Sequence, residues 1–268
     1  MGDTTDESTP SGGPTRRAVL LRSAAAALAA TAGCADTAAR HSATGPTGPP
    51  TTTAPATTTT VATGGPATFV SHGPTDVPKV ALTFHTNGDV ALAHQLLDVL
   101  DARKVRVTTF VVGNWLEQHP DWAKRLVDGG HELSNHTYSH QTFSRLDPRT
   151  MAEEVTRCRD VLIRTSGAGG DYFRPSGTAN GTDSPTAEVL AVAGTAGYPT
   201  VLGYDVDPAD YQDPGSTEVT RRTIAGLHAG AIVSLHFGHQ GTVQAMPAIL
   251  DAIGKQGLAA VTAGELLT

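Results

Sequence analysis

Short apolar runs alternate with longer amphipathic segments from residue 78 to the C-terminus. Val80–Phe84 is typical of a buried strand, and the leucines of Ala91–Leu100 share one face of a helix. The same alternation continues along the chain. It predicts further strands at 107–112, 171–173, 199–204 and 231–235, and further helices at 122–127, 147–162, 185–196, 217–227 and 243–253.

This alternation is typical of an α/β protein whose parallel strands are joined by helical crossovers, in either a barrel or an open sheet. Nearly every unusual polar residue directly follows a predicted strand. Active sites of barrel enzymes lie at the C-terminal ends of the strands, so we expect separate loops to converge on one pocket. The strand-end residues are His85, Asn87, Asp89, Arg174, Asp205, Asp207, Asp210 and His236.

The N-terminal quarter lacks this alternation. Arg16 and Arg17 precede an Ala-rich apolar run that ends at Cys34, which predicts a twin-arginine-type export signal over residues 1–34. Cys34 resembles the lipidated cysteine of a bacterial lipobox, and a soluble exported protein cleaved nearby is the alternative. The run is too short for a permanent transmembrane helix. Residues 35–69, rich in Thr, Ala, Pro and Gly, are typical of a disordered tether.

Composition assigns the fold and the charge to residues 70–268. The net charge of −7 falls entirely on this part, which argues against a nucleic-acid partner. A chain of this length can bury about 70% of its unfolded surface, so a single domain suffices, and we expect a monomer. Cys158 lies in a helix-like run, where we expect a buried small hydrophobe and no intrachain disulfide.

Candidate chemistry centres on Ser134–His140, where His136 and His140 are four residues apart in a polar, non-periodic segment. Two imidazoles at this spacing could hold one metal ion from one side. A pair of histidines is a weak signal by itself. Its surroundings therefore decide the interpretation.

Those surroundings resemble the polysaccharide deacetylases, carbohydrate esterases that remove N-acetyl or O-acetyl groups from chitin, peptidoglycan or xylan. Gly130–His140 resembles the second motif of that family. Phe173–Pro175, Asp207–Tyr211 and Ser234–His236 resemble the third, fourth and fifth motifs. The resemblance implies a distorted, incomplete (β/α) barrel forming a single domain over residues 70–268.

The first motif departs from the family pattern. Thr83-Phe84 is followed by His85 and Thr86 where the family usually has two aspartates, a catalytic base and a metal-binding carboxylate. His85 then stands at the base position, and Asp89 lies further along the same loop. The third motif also departs, because Ser176-Gly177-Thr178 replaces the usual Pro-Tyr-Gly.

The resemblance implies metal-assisted amide hydrolysis, with Zn²⁺ the first choice and Co²⁺ or other divalent ions as alternatives. His136, His140 and Asp89 would hold the ion. His85 would take a proton from the attacking water, and His236 would protonate the leaving amine.

Supporting roles follow from the same resemblance. Arg174 and Asp207 are expected to form a charge pair that orients the base or tunes its pKa, and Asp207 would also act on His236. Asp205 and Asp210 would equally serve as loop caps. His131 is expected to be structural. His239, three residues after His236, is expected to lie in a loop, and a place in the pocket is the alternative. Substrate contacts are expected from Tyr138, Pro175, Ser176 and Tyr211.

Two classes of function remain open. The leading hypothesis is an exported deacetylase acting on an N-acetylated glycan of the cell wall, either as a lipoprotein on the outer face of the cytoplasmic membrane or as a secreted protein. The alternative is a carbohydrate-binding relative that retains the fold without the chemistry, because the aspartate pair is missing. Within the enzyme class, an O-acetyl esterase is also an alternative.

Overall fold

Strands and helices alternate along residues 64–268, the part of the chain that the computed structural model describes. The predicted export signal, Cys34 and the tether up to residue 63 lie outside the described residues. The strands are β1 Thr68–Val70, β2 Lys79–Thr86, β3 Thr108–Val111, β4 Glu132–Asn135, β5 Tyr172–Phe173, β6 Thr200–Leu202, β7 Ile232–His236 and β8 Ala259–Val261. The helices are α1 Val90–Arg103, α2 Gly113–Gln118, α3 Asp121–Asp128, α4 Pro148–Ser166, α5 Ala187–Thr195, α6 Ser216–Gly226, α7 Gln240–Lys255 and α8 Ala263–Leu267.

All the strand pairs are parallel and form one curled sheet. Its order is β1-β6-β5-β4-β3-β2-β7, and β8 pairs with the first residues of β2. The end strands β1 and β7 do not pair with each other. Between these ends, Val206 bridges to Val233 of β7. The predicted distorted, incomplete (β/α) barrel is confirmed.

The barrel interior is layered from apolar at the bottom to polar at the top. Because side chains alternate along a strand, Ala81, Thr83 and His85 of β2 face the interior, while Val80, Leu82 and Phe84 pack against the outer helices. In β7, the register partners of the inward-facing Ala81, Thr83 and His85 are Ile232, Ser234 and His236. The register therefore stacks His85 beside His236 at the top of the barrel.

Helix α8 fills the bottom of the barrel. Its residues Ala263 and Leu266 pack against Phe110 and other interior side chains. The helix begins with a capping box in which Thr262 and Glu265 each bond to the backbone amide of the other. The layer that contains His85 and His236 therefore lies at the opposite end of the barrel.

The outer helices follow the predicted patterns. Leu96, Leu97 and Leu100 of α1 are buried in the main hydrophobic cluster. Helix α4 begins with Pro148 in its first turn, as predicted. Cys158 of α4 is buried, donates its thiol proton to the Val111 carbonyl, and has its pKa raised to about 12 by burial. Across residues 64–268, no helix has the length and hydropathy that crossing a bilayer would require.

The sequence pattern missed strands β1, β4 and β8 and helices α2 and α8. Strand β4 contains the polar pair Ser134-Asn135 and carries no apolar run, although both side chains are buried. Strands β1 and β8 have three residues each. Segments this short show no periodicity, and only pairing with neighbouring strands identifies them.

Packing of α1 on the sheet predicts a large loss of stability for Leu96→Ala. The side chain is fully buried, so its truncation leaves a cavity that costs about 2–5 kcal/mol of unfolding free energy. Chemical denaturation measures this loss. Val127→Ala removes methyl groups from an exposed position and is the matched control, with a change of less than about 0.5 kcal/mol. Equal losses in the two variants would contradict the packing described here.

Candidate active site

A cleft of about 390 Å³ opens at the C-terminal ends of the strands. It collects most of the predicted strand-end residues, which come from β2, β5, β6 and β7. The segment after β4 adds His136 and His140. A groove of about 510 Å³ between α1 and α3 holds none of the predicted catalytic residues. The cleft is lined by His85, Asn87, His136, His140, Arg174, Pro175, Gly177, Thr178, Ala179, Tyr204, Asp207, Tyr211, His236 and His239.

One chain of hydrogen bonds crosses the floor of this cleft. Arg174 Nη1 lies 3.2 Å from His85 Nε2, and His85 Nδ1 lies 2.8 Å from His236 Nε2. His236 Nδ1 lies 2.7 Å from Asp210 Oδ1. A guanidinium can only donate, so His85 accepts at Nε2 and carries its proton on Nδ1. His236 therefore accepts at Nε2 and donates from Nδ1 to the carboxylate.

This chain gives His85 a different role from the predicted base. Both of its ring nitrogens are engaged, so no lone pair is directed at a water molecule in the cleft. Burial, followed by the neighbouring His136 and His236, holds the pKa of His85 well below its usual range. We therefore assign His85 as a neutral link between Arg174 and His236.

Arg174 is buried in the floor without a carboxylate contact among the described residues. Its guanidinium donates to the carbonyls of Leu202 and Gly203 and to Thr83 Oγ1. It also lies 3.9 Å from the centre of the Phe110 ring. Burial lowers the pKa of Arg174 to about 9. The floor of the cleft is therefore electropositive where the family pattern has carboxylates.

Asp210, and not the predicted Asp207, holds His236. The carboxylate of Asp207 accepts from the backbone amide of Ala209 and forms no ion pair with Arg174. Asp210 is 1% exposed and accepts from the His236 amide, the His236 ring and Thr242 Oγ1. Sequence analysis left Asp210 open as a loop cap, because its distance from β7 is visible only in the fold.

The loop carrying His136 and His140 is held in place by α4. Glu154 accepts from the amides of Tyr138 and Ser139 and from the Ser139 hydroxyl. This buried carboxylate was not identified from the sequence, because it lies in an ordinary amphipathic helix. His140 has a φ of 60°, a left-handed conformation that an L-residue adopts only when its surroundings impose it.

His136 and His140 lie together in the cleft and would form half of a metal site. His136 Nδ1 donates to the Arg174 carbonyl at 2.8 Å, and its buried Nε2 has no hydrogen-bond partner within residues 64–268. This orientation suits a metal ligand. The centre of the His140 ring is 5.0 Å from that of His136. Burial lowers the pKa of both, which keeps them neutral.

A third ligand is missing. Asp89 is exposed and caps α1 by accepting from the Leu92 amide at 2.9 Å, so it does not join the histidines as predicted. Residues 64–268 contain no group of three or more His, Cys, Asp or Glu side chains placed to hold a metal ion. Catalytic zinc takes three protein ligands. The described residues therefore do not complete a catalytic zinc site.

The predicted substrate contacts divide into two pairs. Pro175 and Tyr211 line the cleft, and Tyr211 is 48% exposed with its ring centre 5.2 Å from that of His236. Ser176 and Tyr138 do not line it. Ser176 is buried and donates to the Gln141 carbonyl. Tyr138 donates to Glu117 and lies under the Arg157 guanidinium.

Curated relatives match this chain over most of the described residues. A family model described as "Polysaccharide deacetylase" matches residues 72–201. A chitooligosaccharide deacetylase of Bradyrhizobium sp. is 31% identical over 67% of this chain and 86% of the relative. A peptidoglycan-N-acetylglucosamine deacetylase of Bacillus cereus is 29% identical over 72% of this chain and 90% of the relative. YlxY of Bacillus subtilis, an uncharacterized protein, is 27% identical over 73% of this chain and 59% of its own length.

A solved structure supports the fold. A CE4-family pseudoenzyme from Bacillus anthracis superposes with a TM-score of 0.69 at 23% identity, covering 75% of this chain and 69% of that one. At this identity the likeness concerns the fold alone.

The missing third ligand predicts weak zinc binding by the unaltered protein. The double substitution His85→Asp and Thr86→Asp introduces carboxylates into the first motif, and we expect it to bind Zn²⁺ more tightly by more than about 100-fold, since even outer-shell partners are worth about 10- to 100-fold. Isothermal titration calorimetry measures this directly. His85→Asp combined with Thr86→Asn lacks the second carboxylate and is the control. If the unaltered protein bound Zn²⁺ as tightly as the double-aspartate variant, the conclusion that His136 and His140 lack a third ligand would be refuted.

The buried neutral histidines predict that stability falls as the pH drops from about 7 to about 5. His85, His136 and His140 have lowered pKa values when folded. The unfolded state recovers the usual value near 6.5 and binds more protons below it, so the stability present above that pH is progressively lost. Denaturant unfolding at several pH values measures the slope. The change of unfolding free energy with pH should be shallower in His85→Asn. The exposed His72→Asn is the control, and an unchanged slope in His85→Asn would refute the prediction that His85 is neutral when folded.

Proposed function

This chain belongs to the polysaccharide deacetylase family of hydrolases, and we propose that it removes N-acetyl groups from a glycan of the cell wall. The observation that carries the proposal is the buried Asp210–His236 pair at the cleft. Amide hydrolysis expels an amine, which needs a proton as it leaves. A histidine paired with a carboxylate is suited to supply one, because the carboxylate stabilises the imidazolium.

The hydrogen-bond chain supports a defined path for that proton. In the neutral state, His236 Nε2 accepts the proton that His85 carries on Nδ1. When His236 is protonated, Nε2 becomes a donor. It then faces the Nδ1 proton of His85, which cannot accept it, so the Nε2 proton is available to an amine in the cleft. Asp210 remains on the opposite nitrogen throughout and holds the ring in place.

The cleft is suited to an acetylated sugar. Its volume lies within the range of small-molecule sites, and Tyr211 exposes an aromatic face beside His236. Aromatic faces pack against the apolar faces of sugar rings. The relatives named for N-acetylglucosamine in peptidoglycan and for chitooligosaccharides support this substrate class.

The place of action follows from the N-terminal pattern. The twin arginines Arg16 and Arg17 and the following apolar run support export, and Cys34 supports lipid attachment on the outer face of the cytoplasmic membrane. A tether that ends before β1 would let the catalytic domain reach glycan strands. At that location, peptidoglycan would be the substrate within reach of the catalytic domain.

A second function, glycan binding without turnover, is favoured by one specific observation. Neither nitrogen of His85 is free, and the first motif has no carboxylate at its catalytic positions. Such a protein would bind acetylated glycan in the same cleft. The acetyl group would remain in place.

Acetate release from N-acetylglucosamine oligomers and from peptidoglycan tests the proposal. We expect the full-length protein to release acetate and His236→Gln to lower kcat by about 10²- to 10⁴-fold, the usual contribution of a general acid. Asp210→Asn should lower kcat as well, because it removes the partner of His236. His228→Gln is the control, since His228 pairs with Asp205 outside the cleft.

Three results would change this conclusion. Glycan binding by the unaltered protein without acetate release would establish the binding function. Loss of amide hydrolysis with retention of ester hydrolysis in His236→Gln would favour the O-acetyl esterase, because an alkoxide leaves with less help from an acid. Undiminished amide hydrolysis in His236→Gln would show that His236 is not the general acid.

A further inference from the structure

A second imidazole–carboxylate pair stands at the mouth of the cleft. His239 Nδ1 lies 2.9 Å from Asp213 Oδ1, and His239 lines the same cleft as His236. The side chain of His239 is 23% exposed. Its Nε2 has no hydrogen-bond partner among residues 64–268. His239 is therefore oriented by a carboxylate and open to solvent.

The same two segments build both pairs. Asp210 and Asp213 lie at the two ends of one short turn, and His236 and His239 lie at the end of β7 and the start of α7. The spacing of three residues is the same on each side. The ring centres of His236 and His239 are 6.0 Å apart, and their planes are nearly perpendicular. One substrate in the cleft can therefore meet both imidazoles.

The backbone supports this placement of His239. Asp213 has a φ of 51°, a left-handed conformation that directs its carboxylate after the turn. Gly238 has a φ of 81°, and a Cβ at that position would meet the Asp89 amide at 2.7 Å. Only glycine fits this close approach of the two loops. Gly238 therefore brings His239 back over the cleft.

The other imidazoles of the cleft do not suit a base. His85 has both nitrogens engaged, and His236 is the proposed acid. His136 presents a fully buried nitrogen, and its pKa is held well below the usual range by burial. Burial also lowers the pKa of His140. His239 alone among them combines a carboxylate partner, a free nitrogen and access to solvent.

We propose that His239, oriented by Asp213, is the general base of this site. The inference rests on the proposed deacetylase function. Water attacks the acetyl carbonyl carbon, its proton passes to His239 Nε2, and the carbonyl electron pair moves to oxygen. His236 enters the reaction protonated on both nitrogens, with Asp210 on Nδ1. The intermediate then collapses as the carbon–nitrogen bond breaks, the amine takes the proton from His236 Nε2, and acetic acid gives its proton to solvent. Acetate and the free amine leave, and exchange with solvent returns each imidazole to its starting state.

Chemical rescue in the full-length protein tests this base. We expect His239→Ala to lower kcat for N-acetylglucosamine oligomers by about 10²- to 10⁴-fold with KM unchanged. Added imidazole should restore part of the lost rate, because the site is open to solvent. Asp213→Asn should reduce kcat to a smaller extent, since the imidazole remains. His228→Ala, taken from the pair with Asp205 at 2.9 Å, should keep its kcat and show no response to imidazole.

The outcomes separate this inference from the proposed function. If the unaltered protein releases acetate and His239→Ala keeps full activity, the assignment of His239 as general base is overturned. The proposed deacetylase function would stand. A raised KM without rescue would overturn it in favour of a substrate contact. Glycan binding without acetate release by the unaltered protein would overturn both.

Discussion

The site depends on one constraint, a buried guanidinium that can only donate hydrogen bonds. Arg174 has no exposed route to water and directs one donor at His85. This contact sets the tautomer of His85, which in turn makes His236 Nε2 an acceptor and assigns the remaining His236 proton to Asp210. Each member is specified by its neighbour, so protonation of any one ring perturbs the whole chain.

The parallel sheet makes this chain possible. Strands β2 and β7 are in register, with His85 opposite His236, and the alternation of side chains directs both rings to the barrel interior. Arg174 follows β5, on the far side of that interior, and reaches across it. Helix α8 and apolar side chains occupy the lower layers. Arg174, His85 and His236 therefore meet in the top layer, where hydrogen bonds join their side chains.

The departure at the first motif changes the electrostatics of the cleft. Two carboxylates at those positions would balance Arg174 and complete the metal half-site of His136 and His140. With His85 and Thr86 there instead, the positive charge of Arg174 lies beside neutral rings. In the proposed function, proton transfer falls to His236 and His239, the imidazoles of the cleft that pair with Asp210 and Asp213. Both imidazoles lie at the end of β7 and the start of α7.

The sequence by itself determined the α/β class, the longer strands and helices, and the convergence of strand-end residues, because these depend on local periodicity and on the parallel topology that it implies. Only the tertiary structure decided the partners within the cleft. Asp210 and Asp207 look alike along the chain, yet only Asp210 reaches His236. Asp89 caps its own helix, because its nearest unpaired donors are backbone amides of α1. Glu154 and His239 carry no local signal, since their partners are distant in the chain and are set by how the elements pack.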